Sequence, residues 1–325
     1  MGLLVGGKWV DQGYDTSKTG GRFIGTQSQF RSFVTRDGSS GFRGDSGRYH
    51  LYISYACPWA HRTLIMRSLK NLENDISISI VNPQLLENGW TFEEFEGSTP
   101  DTVNNTKFLY EVYLKANPEY EGRVTVPVLW DKETNTIVSN ESSEIILMMN
   151  SGFNCGNDRD FYPEEKKAEI DEINALVFDK INYGVYKAGF ATTQAAYEEA
   201  VIDLFNALEA VDQRLENHRY LVGNTLTIAD VRLFTTLIRF DVAYVGNFKC
   251  NLKRIEDFRN LPEYLRDLYQ TPGFGETVNF NHIKTGYYKN NNMKNINPTG
   301  IIPLGPIVDY ARPHNRDRVY EAAGH

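Results

Sequence analysis

The sequence contains few cysteines and no long hydrophobic run. Its 325 residues include only Cys57, Cys155 and Cys250, which cannot all pair with one another. A disulfide framework is therefore not expected, and a reducing, cytosol-like compartment is favoured. No apolar stretch approaches the ~18 residues of a membrane helix, and MGLLVGGKWVDQ lacks the apolar core of a signal peptide. We expect a cytoplasmic protein with no membrane partner.

Excess positive charge and metal-type histidine spacing are also lacking. The net charge of -8 argues against nucleic acid as the main partner. The 6 histidines show no paired spacing typical of a zinc site, so no metal is expected. The length and the hydrophobic content of 41% are those of an ordinary globular protein with room for two cores.

Periodicity predicts two folded domains with an extension at each end. Residues 1–47 are rich in Gly, Ser, Thr and Arg, show no sustained period and are expected to be irregular. Short strands and helices alternate over residues 48–155, which predicts an α/β domain. Residues 160–290 show helical spacing of apolar residues. Residues 291–325 are Asn-, Pro- and Gly-rich and are interpreted as a C-terminal extension.

An apolar helix in the second domain is expected to begin near Thr227 and Asp230. The two residues fit a capping pair, in which the hydroxyl bonds a helix N-terminal amide and the acid favours the helix start. We therefore interpret Asp230 as structural rather than catalytic.

The stretch YISYACPWAHRTLIM predicts a strand that ends near Cys57 and a helix that begins at the following proline. The unpaired amides and the dipole of a helix N-terminus stabilise a thiolate. His61 and Arg62, in the first turn, can add positive potential. The alternative is a small buried hydrophobe, which fits Cys155 and Cys250 better because neither precedes a convincing helix start. We predict that Cys57 is reactive.

Position 60 is alanine, so Cys57 has no neighbouring thiol with which to resolve a mixed disulfide internally. A thiol from solution would have to do so. In a cytosol the abundant candidate is glutathione, which makes glutathione the expected co-substrate.

Two further stretches supply residues for a glutathione site. RVTVPVLWD resembles the cis-proline strand of thioredoxin-like folds, in which Pro127 would turn the backbone of Val126 toward a bound peptide. Glu141 and Ser142 are predicted at a helix start, where they can receive the ammonium and the carboxylate of a ligand. Simple helix capping is the alternative for these two residues, and it stays open.

The motifs CPWAHR, VPVLWD, NESSEI and TIADVRLF together resemble a glutathione transferase. The more specific set YACPWAHR, VYKAGFATTQ, RFDVAYVGNFKCN and HIKTGYYKNNNMKNINPTGIIPLGP resembles the Xi class, the glutathionyl-hydroquinone reductases, over nearly the whole chain. This resemblance implies a thioredoxin-like N-terminal domain packed on an all-helical C-terminal domain, in a homodimer.

The resemblance also implies roles for individual residues. Cys57 would be the nucleophile, and Tyr186 the proton donor and acceptor. Tyr244 and Tyr287 would donate hydrogen bonds to the sulfur of Cys57. Glutathione would be covered by Trp90 and bound by Arg123, Val124, Thr125, Val126, Pro127, Glu141 and Ser142. Packing is the alternative for Trp90 and for any single tyrosine, since the chain contains 19 tyrosines.

The implied reaction is the glutathione-dependent reduction of a glutathionyl-hydroquinone through a Cys57 mixed disulfide, with release of glutathione disulfide. One rival is an omega-like thiol reductase that acts on mixed disulfides or dehydroascorbate, which Cys57 fits equally well. The tyrosine motifs favour the first reading, because disulfide exchange needs no carbon acid. A non-catalytic binding module is the second rival. It has no need of Cys57 together with a glutathione site.

Overall fold

The computed structural model describes residues 2–322, so residue 1 and residues 323–325, at the ends of the two predicted extensions, lie outside the described residues. The chain divides into two compact units, each assembled from separate segments. The first unit contains the residues up to Gly13, Thr26–Arg159 and Thr277–Ile302. The second contains Tyr14–Gly25, Asp160–Glu276 and the residues from Pro303 onward.

Two β-sheets lie in the first unit. A small antiparallel sheet has the order β2-β1-β5 and consists of β1 (Leu3–Val5), β2 (Lys8–Val10) and β5 (Gly122–Arg123). The larger sheet has the order β4-β3-β6-β7 and consists of β3 (Tyr49–Ile53), β4 (Ile76–Ile80), β6 (Val128–Asp131) and β7 (Thr136–Ser139). β3 pairs in parallel with β4, and the other two pairings are antiparallel. Every residue of β3 and β6 is buried, as expected for strands covered on both faces.

Four helices accompany these sheets: α1 (Pro58–Leu69), α2 (Leu109–Ala116), α3 (Ser142–Ser151) and α10 (Phe280–Tyr288). α1 connects the parallel strands β3 and β4, and it packs against α3, which follows the β6–β7 hairpin. This β-α-β and β-β-α order is that of the thioredoxin fold, and it confirms the predicted α/β class. α2 lies within the long connection between β4 and β5.

The regular elements described in the second unit are all helical, as predicted. They are α4 (Lys167–Leu176), α5 (Gly184–Gly189), α6 (Gln194–Arg214), α7 (Ile228–Arg239), α8 (Val245–Asn247), α9 (Leu261–Gln270) and α11 (Arg316–Ala322). Wider turns of the π type continue α4 over Val177–Asn182 and α7 over Phe240–Tyr244. Nearly every side chain of α7 is buried, which its apolar sequence predicted.

Long-range pairings group α10 with the first unit, whereas the sequence-based boundaries counted residues up to 290 with the helical domain. The side-chain oxygen of Asn290 accepts the N–H of Leu85 at 2.7 Å, and Nε2 of His282 lies 2.6 Å from the carbonyl of Glu96. These partners are 205 and 186 positions apart, a distance over which local periodicity carries no information.

The N-terminal segment is also more regular than the sequence predicted. It contains β1 and β2, which are three residues each, and the turn between them uses two glycines with positive φ. Strands this short do not produce a recognisable alternation of polar and apolar residues. The expectation of a wholly irregular segment was therefore wrong.

The start of α7 confirms the structural interpretation of Asp230. Thr227 accepts the N–H of Ala229, and Asp230 accepts the N–H of Thr227 at 2.8 Å. Asp230 also accepts the N–H of Leu221 at 2.9 Å and the hydroxyl of Tyr264 at 2.8 Å. Burial raises the pKa of Asp230 to about 6, against the opposing effect of these hydrogen bonds. Both carboxylate oxygens are thus engaged in holding the helix start.

No helix within residues 2–322 combines the length and the apolar character that crossing a bilayer requires.

We expect Asp230→Ala to lower the free energy of unfolding by about 2–3 kcal/mol, because it leaves several buried donors without an acceptor. Thr227→Ala should cost about 1 kcal/mol, the usual cost of a lost N-cap. Urea denaturation followed by far-UV circular dichroism measures both. Thr193→Ala, at the exposed cap of α6, is the matched control and should cost less. Equal losses at the two threonines would contradict the importance given to the buried cap.

Candidate functional site

Cys57 lies at the joint between a buried strand and a helix. β3 ends at Ile53, and Cys57 is the N-cap of the 12-residue helix α1, with an extended backbone (φ -81, ψ 121). Its N–H donates to the carbonyl of Ser54 at 3.1 Å, and its carbonyl accepts the N–H of His61 at 3.0 Å. The thiol is therefore at the positive end of the helix dipole, which favours a thiolate. The predicted strand-to-helix joint is confirmed.

The cis-proline strand runs beside this thiol. Sγ of Cys57 lies 3.5 Å from the carbonyl oxygen of Val126, and the peptide bond between Val126 and Pro127 is cis. The hydroxyl of Tyr113 donates to the carbonyl of Thr125 at 2.8 Å and accepts the N–H of the same residue at 3.2 Å. The buried side chain of Tyr113 thus holds the backbone of Thr125, the residue before Val126.

Glu141 caps α3 and remains a charged group. Its carboxylate accepts the N–H and the hydroxyl of Ser143 at 3.0 and 2.8 Å, and the hydroxyl of Ser28 at 3.1 Å. Burial opposes ionisation, but the hydrogen bonds from Ser143 and Ser28 and the charge of Arg62 outweigh it and lower the pKa of Glu141. Ser28 lies in the Gly- and Ser-rich N-terminal segment, where nothing in the sequence distinguished it from its neighbours.

The two cationic candidates of α1 are both engaged in holding the fold. Arg62 is buried, donates from Nη1 to the hydroxyl of Ser142 at 3.3 Å, and stacks over the ring of Trp59 at 4.5 Å. His61 is also buried, with Nε2 2.7 Å from the hydroxyl of Thr277. Arg62 therefore ties α1 to the start of α3, and its positive charge lies near Glu141.

α10 approaches the Cys57 joint through two small residues. A Cβ added at Gly286 would lie 2.5 Å from the Cβ of Ala56, the residue before Cys57, and 3.4 Å from the carbonyl of Pro83. Only glycine permits this approach. Tyr287 is the next residue on α10 and is buried. The structure thus brings Tyr287 into the same unit as Cys57, although its helix had been assigned to the other domain.

The remaining predicted binding residues also lie in the first unit. Trp90 is 8% exposed, and its carbonyl accepts the N–H of Leu109 at 2.9 Å. Arg123 lies in β5, and Val124 beside it is buried. Trp90, Val124, Val126 and Pro127 are thus buried, whereas Arg123 and Thr125 keep some exposed surface.

Tyr186 and Tyr244 come together in the second unit. Their ring centroids are 6.2 Å apart, and both rings contact Phe248, at 5.6 and 5.4 Å. Phe23, from the N-terminal segment, lies 6.3 Å from Tyr186 on another side. Tyr244 is fully buried, whereas Tyr186 is partly exposed. Of this pair, Tyr186 is the residue with solvent-accessible surface.

The other two cysteines differ from Cys57. Burial and the nearby Asp75 raise the pKa of Cys155 to about 11, and burial raises the pKa of Cys250. Both thiols are therefore protonated at neutral pH, which fits the interpretation of Cys155 and Cys250 as packing residues. Within residues 2–322 no cysteine forms a disulfide, and no group of three His, Cys, Asp or Glu side chains could hold a metal ion.

Two family models match the chain. Residues 56–151 match the glutathione S-transferase N-terminal domain, and residues 194–267 match the glutathione S-transferase C-terminal domain. The first match begins one residue before Cys57 and contains Val126 and Glu141. The second contains Tyr244.

Similarity to individual proteins extends over nearly the whole length. The chain is 55% identical to the glutathionyl-hydroquinone reductase YqjG of Escherichia coli (strain K12), over 98% of this chain and 99% of the relative. It is 50% identical to the glutathionyl-hydroquinone reductase PcpF of Sphingobium chlorophenolicum, over 94% of this chain and 96% of the relative.

Solved structures agree with these matches. The glutathione-bound structure of YqjG superposes with a TM-score of 0.87 at 55% identity, covering 89% of this chain and 96% of that one. A Xi-class glutathione transferase from Natrialba magadii superposes with a TM-score of 0.91 at 46% identity, covering 98% of this chain and 97% of that one.

The contact between Gly286 and Ala56 predicts the sign of a mutational effect. Gly→Ala within a helix normally stabilises it by up to ~1 kcal/mol. At Gly286 the added methyl would instead overpack the Cys57 joint, and we expect a loss of about 1–3 kcal/mol in the free energy of unfolding. Gly184→Ala in α5 is the matched control, because its added methyl would meet nothing closer than 3.4 Å. Chemical denaturation measures both, and a stabilised Gly286→Ala protein would contradict the close packing.

Proposed function

Because the chain belongs to the Xi class of the glutathione transferase family, we propose that it is a glutathionyl-hydroquinone reductase with glutathione as co-substrate. It removes glutathione from a glutathionyl-hydroquinone and releases the hydroquinone and glutathione disulfide. The observation that carries this proposal is the joint at Cys57. A single thiol lies on the N-cap residue of a helix, 3.5 Å from the carbonyl of Val126, and alanine occupies the position of a resolving cysteine.

Glutathione binds along the cis-proline strand in this proposal. The extended main chain of Val126 pairs with the central residue of the tripeptide, as in strand addition, and so places its sulfur beside Cys57. Glu141 receives the ammonium group of the ligand, and Ser142 with the amides of α3 receives the adjacent carboxylate. The lowered pKa of Glu141 supports this role, because the carboxylate stays charged throughout the neutral range. Trp90 covers the ligand, and the strand residues 123–127 form the wall beneath it.

The leaving group decides what else the reaction needs. If the thiolate of Cys57 attacked the sulfur of an intact aryl thioether, the electron pair of the carbon–sulfur bond would form an aryl carbanion, a very poor leaving group. A hydroquinone ring avoids this by ketonising, with a proton added at the carbon that bears sulfur. The departing pair then forms an enolate and restores the aromatic ring. Tyr186 supplies the proton by general acid–base catalysis.

The cycle closes with a second glutathione. The first step leaves Cys57 joined to glutathione by a disulfide bond, and the hydroquinone departs. The thiolate of another glutathione attacks the glutathione sulfur of this bond, glutathione disulfide leaves, and Cys57 returns as a thiolate. Tyr244 and Tyr287 donate hydrogen bonds to the sulfur of Cys57 and lower the pKa of its thiol. Phenols suit all three roles, because with a pKa near ~10 they remain protonated at neutral pH.

We also propose a homodimer in the cytoplasm. The tail of the chain exposes three large apolar side chains at regular spacing, Ile301, Leu304 and Ile307. Exposed apolar groups that recur along a segment are typical of an interaction surface. A reducing compartment suits an enzyme whose cycle passes through thiols. Light scattering that returned the mass of one chain would contradict the dimer, and secretion of the native protein would contradict the location.

The first half-reaction can be trapped. Incubation with a glutathionyl-hydroquinone and no free glutathione should add the mass of one glutathione to the peptide that contains Cys57, as measured by mass spectrometry. Cys57→Ser should abolish both this adduct and turnover, since a serine hydroxyl is not ionised at neutral pH. Cys155→Ser is the matched control and should keep most of the activity. Turnover by Cys57→Ser at the wild-type rate would exclude Cys57 as the nucleophile.

Tyr186→Phe should separate two substrate classes. We expect it to slow reduction of the hydroquinone thioether by ~10²–10⁴-fold, the usual effect of losing a general acid. Reduction of a small disulfide should change much less, because its leaving thiolate needs no proton on carbon. Steady-state rates on both substrates measure this difference. Equal losses would place Tyr186 in binding or in thiolate activation. A wild-type enzyme that reduced only disulfides would be an omega-like thiol reductase.

A further inference from the structure

The N-terminal hairpin consists of β1, β2 and the residues that follow as far as Gly13, and it contacts both predicted walls of the glutathione site within the first unit. β1 pairs with β2 on one side, where Leu4 faces Trp9, and with β5 on the other, where Leu3 faces Arg123. The hairpin is therefore part of the sheet that leads into the cis-proline strand.

Trp9 holds the turn that precedes Trp90. Its indole Nε1 donates to the carbonyl of Glu87 at 2.7 Å, and its ring stacks on Tyr110 with centroids 5.2 Å apart. The ring also covers Gly89, where an added Cβ would come within 2.5 Å of it. Gly89 has a φ of +70 and closes the turn by donating its N–H to the carbonyl of Leu86 at 3.0 Å. Trp90 is the next residue, so the indole of Trp9 fixes the backbone from which Trp90 extends.

Arg123 makes the second attachment. Its guanidinium donates to the carbonyl of Gln12 and, at 2.7 Å, to the carbonyl of Gly13. These bonds join the end of the hairpin to a strand residue only three positions before Val126. The side chain of Arg123 is therefore engaged with the N-terminal segment.

We propose that the N-terminal hairpin is a positioning element of the glutathione site, and that Trp9 is the positioning residue for Trp90. The inference rests on the proposed function, since it assumes that Trp90 covers glutathione. Ordering a Gly- and Asn-containing loop costs conformational entropy. Contacts with the hairpin order this loop when the protein folds. Glutathione therefore binds to a turn that is already ordered, and its binding free energy is not reduced by ordering the loop.

The test compares three variants with the wild-type full-length protein. In Trp9→Ala the stack and the indole N–H are both lost, whereas Trp9→Phe keeps an aromatic ring on Gly89 and loses only the N–H. Val10→Ala, at the exposed neighbouring position of β2, is the matched control. Three quantities are measured. They are the Kd of reduced glutathione by calorimetry, the kcat and the KM for glutathione with a small disulfide as the second substrate, and amide hydrogen exchange over residues 81–95.

For Trp9→Ala we expect a Kd and a KM for glutathione raised by roughly threefold to tenfold, the cost of re-ordering one or two residues on binding. The kcat at saturating glutathione should stay near the wild-type value, and exchange over residues 81–95 should become faster. Trp9→Phe should recover most of the affinity, and Val10→Ala should match wild type in all three measurements.

An unchanged Kd in Trp9→Ala, or a loss confined to kcat, would overturn the inference. If Trp9→Ala did not fold, Trp9→Leu, which loses the stack on Tyr110 and the indole N–H but keeps apolar bulk, would take its place. Wild-type exchange and wild-type affinity in Trp9→Leu would then count against the inference. Failure of the proposed function would look different, because the wild-type protein itself would then bind no glutathione.

Discussion

The rest of the site depends on the immobility of the turn from Ser54 to Cys57. The carbonyl of Val126 lies beside the thiol, and α10 reaches the backbone of the turn because Gly286 meets Ala56 directly. The backbone that carries the thiol cannot shift without displacing a buried strand or a helix. Such rigidity is what nucleophilic catalysis requires, since small errors in placement of the attacking atom are costly in rate.

Two acidic residues at helix starts differ in burial, one with a structural role and the other with a proposed role in binding. Glu141 and Asp230 both accept hydrogen bonds from backbone amides at the start of a helix. Asp230 is completely buried and surrounded by four donor groups, and burial raises its pKa. Glu141 remains partly exposed, has the charge of Arg62 nearby, and its pKa is lowered. A ligand can therefore reach a charged Glu141, whereas Asp230 has no accessible surface to offer.

Local signals in the sequence predicted the parts of the molecule that are determined locally. The bounds of α1, the cap at Thr227 and the alternation in β4 all follow from residues within a few positions of one another. The place of α10, the pairing of β1 with β5 and the contact of Ser28 with Glu141 do not, because each depends on partners more than a hundred positions away. Nothing in the sequence around Ser28 indicates that its hydroxyl will donate a hydrogen bond to the carboxylate of Glu141. The family resemblance supplied Tyr287 and Trp90, but not the glycines at 286 and 89 that place them.

The discontinuity of the first unit has a consequence for its synthesis. Its central sheet is complete once Arg159 has been translated, but α10 follows only after residues 160–276, which belong to the other unit. At the usual ~5–20 residues per second, residues 160–288 take roughly 6–26 seconds to translate, and until then the joint at Cys57 lacks the helix that covers it. During that interval Ala56 lacks the packing of Gly286 against it, and the nascent chain already carries the thiol proposed as the nucleophile. Completion of the proposed site is thereby coupled to translation as far as residue 288, and a chain that terminates earlier lacks part or all of the helix that carries Tyr287.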